Sequence, residues 1–290
     1  MFDSGVGGLS VLRQIAGAKS QSGSHQFIYL GDTARCPYGN RPQSEIAQFV
    51  DEIVCFLTNF QLDTLIMACN TSAAMAKDVA LEAVKRVPSV KLYDLIEPTS
   101  RYLTEKNSSK KLGVLATAGT VNSKAFSRTL KTCGFSGEVL EVAAPLLVPI
   151  IESGHLHEEE KRAQLDKALK SYLSQMDDVG VDTMILGCTH FPFVASYIQE
   201  LAPHIELVDP AKIVAETVLG LDTKSGLSEP DYFSPAFTFY TTGNPEAFQK
   251  GAQSCLGVPV PLPQAVFPSD LKSELAASVF SNLGYASNVQ

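Results

Sequence analysis

Residues 62–71 read LDTLIMACNT, and residues 181–190 read VDTMILGCTH. Aligned without gaps, the two stretches share Asp, Thr, Ile and Cys at matching positions, and most other positions are alike in character. Each is a short apolar run that ends in a small residue, followed by a cysteine (Cys69 or Cys188) and then polar residues. Such a run suits a strand covered on both faces, as in a parallel sheet.

The flanks repeat more loosely. FDSGVGG (2–8) lies before the first copy and LATAGTV (115–121) before the second, each a strand end leading through Gly into a helix-like run. DLIEP (94–98) follows the first copy and ELVDP (206–210) the second. Together these matches predict duplicated α/β halves. Further candidate strands are 27–30, 92–96, 112–115, 139–142, 205–208 and 237–240. Between them, the stretch 44–60 places Ile46, Phe49, Val50, Ile53, Leu57 and Phe60 on one face at a period of about 3.6. The stretch 158–176 does the same with Leu165, Leu169, Tyr172 and Met176. Alternating strands and helices predict an α/β fold with mostly parallel sheets and right-handed crossovers.

Composition narrows the function class. A net charge of −8 without a dense Lys/Arg stripe argues against nucleic-acid binding. No apolar run approaches the ~18–20 residues of a spanning helix, and no secretory pattern opens the sequence. A cytoplasmic protein away from membranes is expected. The six cysteines include no C-x-x-C pair, so free thiols are expected rather than a zinc site or a redox pair.

Ligands bind outside the carboxyl ends of the strands in open α/β sheets. Two related halves facing one another would bring Cys69 and Cys188 to one cleft, a thiol from each side. Exchanging a Cα proton between opposite faces of an amino acid needs such a pair, one group ionised and the other protonated. A thiol, with a reference pKa of about 8.5, suits both roles, and a helix start beside it favours the thiolate. The plainer alternative is that each cysteine merely packs behind a strand. Cys-Asn-Thr and Cys-Thr-His are poorly suited to an apolar core, although they also make good Asx and ST turns. Asp3 and Ser4 lie in a tight glycine turn that matches neither common phosphate-loop pattern. Tyr38 and Gly39 fall in a Gly/Pro loop, 31–41, and Glu152 at a helix end; each also has a plain structural explanation. His190 is the one histidine beside a cysteine candidate, and it can hold the thiol–thiolate balance. His25, His155, His157 and His204 are expected to face solvent. No ligand cluster suggests a metal, and no lysine lies in a Schiff-base context.

At these residues the sequence resembles the glutamate racemase family, within the aspartate/glutamate racemase superfamily. The matching motifs are FDSGVGG (2–8), PYG (37–39), ACNT (68–71), ESG (152–154), LGCTH (186–190) and DPA (209–211), in the family's order. The resemblance implies two pseudo-symmetric, three-layer α/β domains, 1–96 plus 207–290 and 97–206, with the active site in the interdomain cleft. It implies no cofactor, neither pyridoxal phosphate nor metal, and a two-base proton transfer that interconverts L- and D-glutamate to supply D-glutamate for peptidoglycan. Cys69 would deprotonate D-glutamate and Cys188 L-glutamate. Asp3, Glu152 and His190 would assist, and Asp3, Ser4, Tyr38, Gly39, Asn70, Thr71, Thr189 and His190 would contact substrate. The partner implied is a small-molecule substrate, with a homodimer as the assembly to test for. Cys36 stands where a larger apolar residue is common before PYG, and the Pro-rich, then helix-like stretch after 260 has no assigned role. Aspartate racemase is the alternative within the same chemistry, and His190 with Asp3-Ser4 favours glutamate over it. The non-enzymatic alternative is a regulatory binding protein on the same fold.

Overall fold

A computed structural model of the chain describes residues 1–19, 25–106, 111–154, 158–220 and 229–271. His155, His157 and the helix-like stretch after 271 lie outside them. The first half runs β1 (Phe2–Asp3), α1 (Leu9–Lys19), β2 (Phe27–Gly31), α2 (Gln43–Leu57), β3 (Thr64–Met67), α3 (Asn70–Val84), β4 (Lys91–Asp94) and α4 (Ile96–Lys106). The second begins with β5 (Lys111–Ala116), α5 (Ala118–Ser123), α6 (Ala125–Thr132), β6 (Glu138–Ala143), α7 (Leu147–Glu152) and α8 (Glu159–Asp177). It continues with β7 (Thr183–Gly187), a 3-10 turn (Phe191–Val194), α9 (Ala195–Leu201), β8 (Glu206–Val208) and α10 (Pro210–Leu219). The chain then adds β9 (Phe237–Thr241), α11 (Pro245–Leu256), β10 (Gln264–Ala265) and a closing 3-10 turn, Pro268–Leu271.

Two parallel sheets result. One has the order β10-β9-β2-β1-β3-β4 and the other β6-β5-β7-β8. The run β2-β1-β3-β4 therefore repeats as β6-β5-β7-β8. The register repeats as well. Phe2 pairs with Met67 and Leu115 with Leu186; Ile66 pairs with Tyr93 and Ile185 with Val208. Even the entry bonds match: the Lys91 N–H donates to Asp63 O at 3.0 Å, and the Glu206 N–H to Asp182 O at 2.9 Å.

That register corrects the flank alignment. Ile66 and Ile185 are equivalent, so Asp94 corresponds to Asp209, not to Glu206. Both aspartates cap the next helix. Asp94 Oδ1 accepts from Ile96 N–H at 2.7 Å and Glu97 N–H at 3.0 Å, and Asp209 Oδ1 accepts from Ala211 N–H at 2.9 Å. Matching the two prolines had slipped the alignment. For the same reason the strand expected over 92–96 stops at Asp94, because its cap turns Leu95 and Ile96 into α4. The boundary expected between 206 and 207 falls inside β8, which stays paired with β7 through Val208. The helix expected over 44–60 ends at Leu57, and Phe60 instead packs edge-on against Phe56.

β7 is buried along its whole length, as its continuous apolar sequence requires. On the first sheet, α2 and α3 cover one face with Ile46, Val50, Ile53, Val79 and Ala80. α1 and α10 meet on the other, where Val11 and Ile15 join Ile66, Val214 and Ala215. The halves share core between them: Ala73 and Ile96 pack into one cluster with Val114, Phe126, Ile185 and Ile213.

Losing an N-cap carboxylate costs about 1 kcal/mol. Asp209→Ala is expected to lower the urea unfolding free energy by about that amount without changing the slope of the transition.

Candidate active site

Cys69 and Cys188 each follow the end of a central strand, β3 in one sheet and β7 in the other, and both line a single pocket. Its interior volume is about 20 Å³, room for a single water molecule. Ser4, Tyr38, Gly39, Asn70, Thr71, Thr189 and His190 line the same pocket. Asp3 and Glu152 stand behind it.

The two thiols have different surroundings. Cys69 is the N-cap of α3, in extended conformation, and its Sγ lies 3.8 Å from Ser4 Oγ. Burial, reinforced by the neighbouring Asp3 charge, pushes its pKa up to about 12. Cys188 Sγ lies 3.8 Å from His190 Nδ1, and His190 Nε2 lies 2.9 Å from Glu152 Oε1. Burial alone would lower the His190 pKa. Hydrogen bonds and charge from Cys188 and Glu152 outweigh it and raise the value to about 10. His190 is therefore an imidazolium at neutral pH, with both ring nitrogens donating.

Asp3 is fully buried at the end of β1. Its Oδ2 accepts from the Gly5 N–H at 3.0 Å, and its Oδ1 has no hydrogen bond among the described residues. Burial raises its pKa, while His190 and backbone N–H groups oppose the rise. Asn70 is similar: both its amide nitrogen and its oxygen are buried without a partner among the described residues. Of the two, Asn70 lines the pocket, where an unsatisfied amide is ready to bind a polar ligand. Tyr38 lines the pocket, and its hydroxyl donates to Asp32.

Several residues here were not singled out in the sequence. Thr117, at the end of β5, lines the pocket; its Oγ1 lies 2.9 Å from Thr71 Oγ1 and 3.0 Å from Thr120 Oγ1. Both threonines belong to the LATAGTV repeat flank, where a threonine between strand and helix is an N-cap signal. Asp32 organises the loop behind Tyr38. Its carboxylate accepts from Arg35 Nε at 2.7 Å, Thr242 Oγ1 at 2.7 Å and the Tyr38 hydroxyl, and Arg35 also pairs with Glu52. The backbone joins the halves where the Gly119 N–H donates to Gly39 O at 2.8 Å. Gly7 presses the first glycine turn against the second half: a Cβ there would lie 2.4 Å from Thr189 Oγ1 and 2.6 Å from the His190 ring.

Two thiols from duplicated, parallel α/β halves wall one pocket, an arrangement suited to acid/base chemistry from opposite sides. The chain belongs to the Asp/Glu/Hydantoin racemase family, whose sequence pattern matches residues 5–218. Within that family its resemblance is to glutamate racemases. The glutamate racemase of Enterococcus faecalis is 36% identical over 260 residues, covering 89% of this chain and 91% of the relative. Among solved structures, glutamate racemase isoform RacE1 of Bacillus anthracis superposes with a TM-score of 0.77 at 32% identity, covering 92% of this chain and 96% of that one. The Francisella tularensis glutamate racemase, solved in complex with D-glutamate, gives 0.78 at 28% identity over the same shares. The protein is thus an isomerase of the racemase type. No helix among the described residues is long and apolar enough to cross a membrane.

Two outcomes follow from this geometry. Gly7→Ala must displace Thr189 and His190, and racemase activity is expected to fall about tenfold or more while the circular dichroism spectrum is kept. His190 binds its proton more tightly folded than unfolded, so protonation favours the folded state. That contribution is complete below a pH of about 6.5 and is lost as the pH rises through about 10. Glu152→Gln removes one of its causes. The stability difference between wild type and this variant, measured by urea unfolding, is expected to be largest in mild acid and to narrow toward a pH of about 10.

Proposed function

We propose that this protein interconverts L- and D-glutamate without a cofactor, by a two-base proton transfer between Cys69 and Cys188. One observation carries the reading: the two thiols, at equivalent positions of two related sheets, line one small pocket. The two domains that form it are 1–96 with the returning C-terminal segment, and 97 to the end of β8, so that α4 and α10 each pass from one repeat to the other domain. D-glutamate is bound in the related Francisella structure, and the glutamate reading is favoured by the likeness to glutamate racemases over most of the chain.

In the direction from D-glutamate, the Cys69 thiolate takes the α-proton and the Cys188 thiol delivers another to the opposite face; the reverse reaction exchanges the roles. Asp3 lies beside Cys69, while Glu152 and His190 assist Cys188. The imidazolium of His190 stabilises the Cys188 thiolate left after proton delivery. Ser4, Gly39, Asn70, Thr71 and Thr189 supply hydroxyl, amide and backbone groups for the two carboxylates and the ammonium of the substrate, joined by Thr117. The Thr71 and Thr117 hydroxyls, 2.9 Å apart across the pocket, are placed to exchange their mutual contact for contacts to substrate. A cytoplasmic supply of D-glutamate for peptidoglycan is the role proposed for the reaction.

The enantiomers have equal free energy in water, so the equilibrium constant is unity and kcat/KM must be equal in the two directions. Purified protein without added cofactor is expected to racemise glutamate, and Cys69→Ser and Cys188→Ser each to lose it by about a thousandfold or more. Full racemisation by either variant would refute the two-base scheme. In deuterated solvent, product is expected to gain deuterium before recovered substrate does, starting from either enantiomer. Equal early labelling of both would point to one shared base. Turnover of aspartate in preference to glutamate would reassign the substrate.

A further inference from the structure

Ser72 takes no part in the scheme above. It lies three residues after Cys69 and is fully buried, and its hydroxyl has no hydrogen bond of ordinary geometry among the described residues, the Cys69 sulfur being the one acidic group it acts on. A buried hydroxyl without a partner is destabilising, and alanine would occupy the same helical position without that cost.

Its place in the helix gives the hydroxyl a use. Cys69 is the N-cap of α3, so Ser72 is at N3, the residue whose N–H an N-cap side chain accepts from. The N-cap side chain here is a thiol in place of a hydroxyl, and the Ser72 N–H and hydroxyl act on it. A neutral thiol is a weak acceptor, and no capping hydrogen bond is formed. A thiolate is a full anion, set at the positive end of a helix with an N–H and a hydroxyl beside it.

The other groups facing this sulfur make such donors necessary. Asp3 from β1, Tyr29 from β2, and Cys36 and Tyr38 from the loop after β2 all interact with it electrostatically, and all are acids. Against burial and Asp3, the groups that pull the Cys69 pKa down are the Ser72 hydroxyl and N–H and the Ser4 hydroxyl. The second half is built differently. Cys188 faces the His190 imidazolium, and the residue three places on is Phe191, which has no hydroxyl.

We propose that Ser72 is a positioning residue for the Cys69 thiolate: its hydroxyl donates to the sulfur when the proton leaves and stands unpaired when the proton returns. The catalytic meaning of this role rests on the two-thiol reading, while the ionisation of Cys69 can be measured without turnover. Neutral donors thereby do for the first thiol what a cation does for the second.

The test is the rate of alkylation of Cys69 by iodoacetamide as a function of pH, in wild type and Ser72→Ala, with Cys69 and Cys188 resolved by peptide mass spectrometry. At each pH below its midpoint, Cys69 of the variant is expected to react about tenfold more slowly, equivalent to an upward shift of about one pH unit. The Cys188 curve is expected to stay in place, and the melting temperature not to fall. Racemisation kcat/KM at neutral pH should drop by the same factor in both directions. Ser72→Thr, which keeps the hydroxyl, is expected to retain the wild-type Cys69 curve. Superposed Cys69 curves, an equal shift of both cysteines, or a lower melting temperature with unchanged ionisation would each overturn the proposal. Wild-type protein inactive on glutamate would dismiss the two-thiol reading instead, and the alkylation curves would still decide the role of Ser72.

Discussion

β3 and β7 run at the same register against their neighbours, and each gives way to a thiol at its carboxyl end. This common register is what the site depends on. Parallel strands place their carboxyl ends on one edge of a sheet, so a residue just beyond a central strand is held by hydrogen bonds on both flanks. Repeating the arrangement in a second sheet that faces the first sets two sulfurs on the walls of one pocket. A slip of one residue in either strand would turn every side chain to the other face.

The fold was legible in the sequence because strands buried on both faces are written as unbroken apolar runs, and β3 and β7 are such runs. Their ends were less legible, since a helix cap decides them and a cap is a single residue. Asp94 and Asp209 perform the same task, but Pro98 and Pro210 drew the flanking alignment out of step. The site was legible where polar residues interrupt strand ends, as at Asp3, Asn70, Thr71, Thr189 and His190. Thr117 and Thr120 were hidden by being ordinary threonines whose importance comes only from meeting Thr71 across the cleft. The hub at Asp32 was hidden for another reason: it joins a loop, a helix and a distant strand, and no local pattern reports contacts of that range. Ser72 gave no signal, because an unpaired hydroxyl can be recognised only once its burial is known.

The duplication is exact in topology and unequal in chemistry. In the second half, burial is offset by an ion: His190 keeps its proton because Cys188 and Glu152 surround it. The first half has no such cation among the groups facing Cys69, and relies on a helix start and on hydroxyls. A low-dielectric pocket strengthens both solutions, since neither donor competes with bulk water. An enzyme acting on mirror-image substrates thus holds its two bases by dissimilar means, and the equality of the enantiomers requires only that kcat/KM be the same in both directions.

The contact between the Gly119 N–H and Gly39 O adds a further consequence. It is made by main chain on both sides of the cleft, and a Cβ at Gly119 would crowd Met75 and Gly39 itself. Most substitutions leave peptide groups intact, so sequence drift can loosen or tighten the threonine bridge nearby while this latch persists. Variation among descendants of this gene should then concentrate in the side chains around a main-chain contact that mutation seldom touches.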